Sequence, residues 1–150
     1  MAQILEHGKR FDHWKLEVYA LAQRFFADAY ALAREFPRED AFFRFQFLRA
    51  ALSIPLNIAE GCGEYSKQEK VRFYRIARRS AGECAAILDA AQETLGIRPE
   101  RLAPLYKTLA RISAMLLALI RKVEKPAPRS GRANLPRTTR KPTPKPKLPP

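Results

Sequence analysis

Cysteine and histidine are nearly absent from this sequence, with two of each among 150 residues. The thiols, Cys62 and Cys84, are too few for a disulfide framework and lack the Cys-x-x-Cys or Cys/His spacing of a zinc site. They read as small thiols on helix faces. His7 and His13 lie before or at the start of the first helix, and no Ser, Cys or Asp pattern marks a triad with them. A di-iron bundle requires Glu-x-x-His on two helices, and the chain carries none. Glycine is scarce too, six residues in all, and none forms a phosphate-cradling loop after a strand. The expectation is a protein that is not an enzyme, with no catalytic residue, no cofactor and no metal.

Long apolar runs are also missing. The most apolar stretch, Ile112 to Ile120, falls well short of the roughly 20 residues that span a membrane. Met1 to Arg10 lacks the apolar centre of a secretion signal. A cytoplasmic protein without a membrane partner is expected. Positive charge, by contrast, is in excess: 28 Lys and Arg against 15 Asp and Glu, a net +13. Residues 1–123 hold 20 basic and 14 acidic side chains, whereas residues 124–150 hold 8 and 1. So uneven a surplus favours polyanionic partners and says little about fold.

Between the proline and glycine punctuation the chain reads as four helices. From Trp14, the residues Val18, Leu21, Phe25, Leu32 and Phe36 recur at helical spacing, with Ala29 between, and Phe36-Pro37 ends the run. A second helix starts near Asp40 and carries Phe43, Phe47, Ala51, Ile54, Ile58 and Cys62 inward, with Gly61 and Gly63 releasing the backbone. Ser66-Lys67-Gln68-Glu69 is a capping box for a third helix, whose inward stripe is Phe73, Ala77, Ala81, Cys84, Leu88, Ala91 and Leu95, closed by Gly96. Pro99 opens a short turn, and a fourth helix starts near Pro104. Its seam, Leu102, Leu105, Leu109, Ile112, Leu116, Leu119 and Val123, repeats every three and four residues, as in a bundle. Short connections make sequential helices antiparallel. The predicted architecture is an all-α, antiparallel up-down-up-down four-helix bundle over residues 13–123. An N-terminal arm, 1–12, precedes it. A disordered basic tail rich in proline, 124–150, follows.

Pro55 falls inside the second helix, where proline costs about 3 kcal/mol and bends the axis. The apolar stripe runs unbroken across it, so the helix is expected to continue. Beside that stripe Arg49, Ser53, Asn57 and Glu60 form a polar one. Apolar residues flank it on both sides, so another helix or another subunit is expected to cover it.

The run Arg49-Ala-Ala-Leu-Ser53-Ile-Pro55-Leu-Asn57-Ile-Ala-Glu60-Gly61 resembles the signature of the four-helix-bundle proteins encoded in intervening sequences of bacterial large-subunit ribosomal RNA genes. The likeness extends to Phe11 through Tyr30, to Phe36-Pro37 and to Ser66 through Glu83, covering about residues 11–123. It implies ring-shaped homopentamers. It also implies a likeness to the accessory variability determinant of diversity-generating retroelements, which binds RNA and DNA and partners a reverse transcriptase. The chain departs from the family pattern in having Leu48 where a second basic residue is usual and Arg79 where glycine is frequent. It is also unusually aromatic at Phe42, Phe43, Phe45 and Phe47, and the family pattern has no counterpart to the stretch from Glu124.

Two features point to nucleic acid. Arg72, Arg75 and Arg79 share one face of the third helix, with Lys67, Arg78 and Tyr74 beside them. The tail adds Lys125, Arg129, Arg132, Arg137, Arg140, Lys141, Lys145 and Lys147 against Glu124 alone. No base-reading module accompanies them, so the expected binding is dominated by phosphate, sequence-tolerant, and directed at RNA first. The alternative is a scaffold whose Lys141-Pro142-Thr143-Pro144-Lys145-Pro146 segment docks a partner protein, such as a reverse transcriptase, as an extended polyproline helix.

Overall fold

The computed structural model describes residues 11–125, so every tail residue after Lys125, including Arg129, Arg132, Arg137, Arg140 and Lys141, lies outside the described residues. Among the described residues there is no strand. Four helices, α1 (Glu17–Ala33), α2 (Ala41–Gly63), α3 (Lys67–Leu95) and α4 (Pro99–Glu124), make the protein all-α. Each helix packs on its neighbour in the chain, and α1 also packs on α4, which closes a ring of neighbours around one core.

The ends of the helices follow local chemistry, and several differ from the sequence-based expectation. A 3-10 turn at Asp12–Lys15 precedes α1, so the helix starts at Glu17 and not at Trp14. The helix also stops early, at Ala33. Pro37 bars Phe36 from the helical region, and the chain leaves through tighter turns in which Glu35 N–H donates to Leu32 O and Phe36 N–H to Ala33 O. Phe36 is nevertheless buried. At the start of α3 the Glu69 amide donates to Ser66 Oγ at 3.4 Å. The returning half of the capping box is missing, because the Glu69 carboxylate accepts from Arg72 Nε at 2.8 Å, a charge-assisted bond stronger than one to a neutral amide. Gly96, at φ +65°, takes the left-handed cap and donates to Gln92 O at 3.1 Å. The expected break between Pro99 and Pro104 does not occur. Pro99 occupies the first turn of one continuous α4, and Pro104 lies inside it, where it removes the bond that an amide at that position would give to Glu100 O.

Pro55 is fully buried inside a continuous α2, as expected from the unbroken stripe. The side-chain amide of Asn57 donates to Ser53 O at 2.8 Å, one turn back along the helix. Lys70 Nζ reaches back from α3 to donate to Cys62 O at 3.1 Å and closes the C-terminus of α2.

The α2–α3 contact is the most extensive in the fold. Both helices bury small residues: Ala50 and Ala51 on α2, Ala77 and Ala81 on α3. The expected stripes shift at four places, the first two of them at this close approach. Gly61, not Cys62, is the buried position in the last turn of α2, and Cys62 is half-buried. Tyr74, not Phe73, is buried on α3, its hydroxyl pushed up to about 12 by desolvation. Leu95 is only half-buried. On α4 the seam ends on Ile120 in place of Leu119 and Val123, because a straight helix turns every 3.6 residues and drifts off a strict heptad. By length and composition alone α4 is apolar enough to cross a membrane. Its seam residues Leu102, Leu105, Leu109, Ile112, Leu116 and Ile120 are buried in the core.

Gly61 permits the approach. A Cβ added there would stand 2.7 Å from Tyr74 Cε1 and 2.9 Å from Cδ1, and the buried ring has no room to swing away. At Gly63 the same atom meets nothing within 4 Å. Gly61→Ala is expected to lower stability by about 1–3 kcal/mol through overpacking, whereas Gly63→Ala raises it by up to about 1 kcal/mol through helix entropy. Urea denaturation of the two variants checks the contrast.

Candidate nucleic-acid interface

The basic residues expected on α3 do not act as one patch. Lys67 lies in the first turn and Arg72 is held by Glu69, its guanidinium 4.8 Å from the Phe73 ring centroid. Arg75, Arg78 and Arg79 are instead brought together along a groove between α3 and α4. The groove has a volume of about 720 Å³, and its floor is small and apolar: Ala81, Gly82, Ala85, Leu109 and Ala110. Arg75 is bonded to Glu124 at 2.7 Å. Arg78 Nε donates to Ser113 Oγ at 3.1 Å. Arg79 pairs with no carboxylate among the described residues.

Tyr106 closes the other end of the groove. Its hydroxyl donates to Asp89 Oδ1 at 2.6 Å, and burial together with that bond pushes it up to about 12. Tyr74, expected beside the arginines, is buried and offers them no ring face. Sequence reasoning missed Tyr106, Ser113, Asp89 and Gly82. A glycine inside a helical pattern was the one signal for Gly82; the other three join the groove only once α3 and α4 are in register. The Arg75–Glu124 pair is exposed, and such pairs contribute about 0–1 kcal/mol, so little holds the two together.

The second set of candidate residues lies on α2. Ser53 Oγ and Ser80 Oγ are 2.9 Å apart, and Asn57 Nδ2 donates to Ser53 Oγ at 3.0 Å. Arg49 pairs with Glu83 of α3. The middle of the polar stripe is thus covered by α3 of the same chain, while Arg49 and Glu60 at its ends stay exposed. This run, with its buried proline, its self-bonded Ser and Asn and its close-approach glycine, also sits inside a recognised sequence pattern. The pattern of the 23S rRNA-intervening sequence proteins matches residues 14–118. The chain belongs to the 23S rRNA-intervening sequence protein family.

Among solved structures, this family member is similar to a protein of unknown function from the S23 ribosomal protein family of Bacteroides thetaiotaomicron. The two are 23% identical, with a TM-score of 0.65, over 69% of this chain and 95% of the other. At that identity the likeness concerns the fold. No curated protein matches. The family signature thus coincides with the α2–α3 contact, whereas the arginine groove lies on the opposite side of α3, against α4.

The hydroxyl pair is a direct measure of that contact. Ser80 is 5% exposed, so Ser53→Ala strands its hydroxyl and is expected to cost about 1–2 kcal/mol. Combined with Ser80→Ala, the total should fall short of the two single costs by about 0.5–1 kcal/mol. Additive losses in urea denaturation would show that the two hydroxyls do not interact.

Proposed function

We propose that this chain is a non-enzymatic accessory protein that assembles with copies of itself and binds nucleic acid, RNA foremost, mainly through phosphate contacts. The observation that carries this reading is the convergence of Arg75, Arg78 and Arg79 on one groove, where Glu124 is the one carboxylate paired with any of them among the described residues. Three guanidiniums fixed along about one helical turn suit successive phosphates better than a single small anion. The cationic tail, continuing from Lys125, supplies further phosphate contacts.

The helices are read as an antiparallel up-down-up-down bundle. Support comes from the contacts between α3 and α4, where Arg75 meets Glu124, Arg78 meets Ser113 and Asp89 meets Tyr106. Numbers rise on one helix as they fall on the other. Between α2 and α3 the pairs Arg49–Glu83 and Ser53–Ser80 follow the same rule.

Self-assembly is supported by the outer face of α1 and α2. There Phe26, Tyr30, Phe45, Leu48 and Leu52 line a groove of about 710 Å³, with Phe45 66% and Tyr30 53% exposed. An apolar face of this kind is uncommon on a monomer and marks an interaction surface. A ring, five subunits by family resemblance, repeats the arginine groove around its axis and raises avidity without new contacts.

Binding of an unstructured RNA should therefore weaken with salt, log affinity falling against log salt with a slope of about −0.7 per phosphate engaged. Arg79→Ala should flatten that slope by about 0.7. Glu124→Gln, which frees Arg75, should tighten binding. Filter binding across a salt series measures all three, and a slope near zero for the unaltered protein would refute the proposal.

A further inference from the structure

We infer that the α3–α4 groove is a pocket for an unpaired nucleobase, so that the protein selects single-stranded over duplex nucleic acid; this rests on the nucleic-acid reading above and specifies its ligand. The argument starts from Gly82. It sits in the middle of a 29-residue helix, where glycine costs about 1 kcal/mol relative to alanine. Yet a Cβ built there meets nothing within 4 Å. The fold of the chain itself thus gives no reason for a glycine at this point. What the missing side chain leaves is the open floor of the groove.

The groove is also polarised along its length. Arg75, Arg78 and Arg79 gather toward the Glu124 end, while Tyr106 and the Asp89 carboxylate mark the other. A phosphate is drawn to the first end and repelled from the second. Between them lies a shelf of Gly82 and alanines walled by the Tyr106 ring, a surface suited to an aromatic face. Ser113 Oγ accepts from Arg78 and keeps its own hydrogen to donate to a base edge. The volume, about 720 Å³, is within the range of roughly 300–1,000 Å³ typical of small-ligand pockets. Duplex nucleic acid cannot use such a shelf, because its base faces are stacked on one another; single strands can. A second copy of this chain is a poorer occupant, since three arginines on the rim oppose a surface of the same net charge.

The test is fluorescence anisotropy on the full chain at moderate salt with three labelled probes. They are an unstructured RNA of about a dozen nucleotides, the same sequence as a duplex, and an abasic strand of equal length and charge. The single strand should bind about tenfold more tightly than either of the others, the loss expected when a base can no longer stack. Gly82→Leu, whose Cβ meets nothing within 4 Å, places a side chain on the shelf and should abolish that preference with the thermal melt no lower. Equal affinity for the three probes would overturn the base pocket and leave phosphate binding standing. Binding to none would end both proposals. A Gly82→Leu chain whose light-scattering mass falls would assign the groove to a second copy and overturn the inference too. The abasic comparison needs no variant, so it decides the matter even if Gly82→Leu folds poorly.

Discussion

The close approach of α2 to α3 is the constraint on which the rest of the molecule depends. It exists because Gly61 has no side chain where the Tyr74 ring lies and because both helices present alanines inward. Packing of this kind has no slack. A bundle interior is as dense as an organic crystal, so a helix held at short range by small residues has its rotation and height fixed. The Ser53–Ser80 and Asn57–Ser53 bonds lie within that contact and satisfy the polar atoms that it buries. No side-chain nitrogen or oxygen is left buried without a partner among the described residues.

Fixing the rotation of α3 decides what its other faces display. With Val71, Tyr74, Ala77, Ala81, Cys84 and Leu88 turned into the core, the arginines at 75, 78 and 79 emerge beside α4. The register of α4 then places Ser113, Tyr106 and Glu124 against them. Cys84 is buried deeply enough that desolvation pushes its thiol up to about 12, so it serves as packing and not as a nucleophile at neutral pH. Pro55, which costs a helical hydrogen bond, is itself fully buried.

Much of this was legible in the residues. The seam of α4 as far as Leu116, the cap at Ser66, the stop at Gly96 and the continuity of α2 through Pro55 are local signals, and a helix reports them within one or two turns. On α3 the stripe from Ala77 to Ala91 was legible, but its first two turns were not. Phe73 and Tyr74 are adjacent aromatics, and only the glycine across the interface chooses between them. The polar stripe was expected to be covered by a helix or another subunit, and α3 covers its centre, but Arg49 and Glu60 remain in solvent. The candidate groove was half legible. Its arginines stand close together in sequence, while Tyr106, Ser113 and Glu124 lie about 30 to 50 positions further on and join them only through helix register.

If the α2–α3 contact governs the fold, it should be the last part to open. Hydrogen exchange under native conditions, resolved by residue, measures this directly, because amides that need global unfolding exchange slowest. The slowest amides are expected between Ala51 and Ile58 of α2 and between Ala77 and Cys84 of α3, with α1 and α4 opening earlier. Protection that persists longest in α1 or α4 while the Ser53 and Ser80 turns exchange freely would contradict the account.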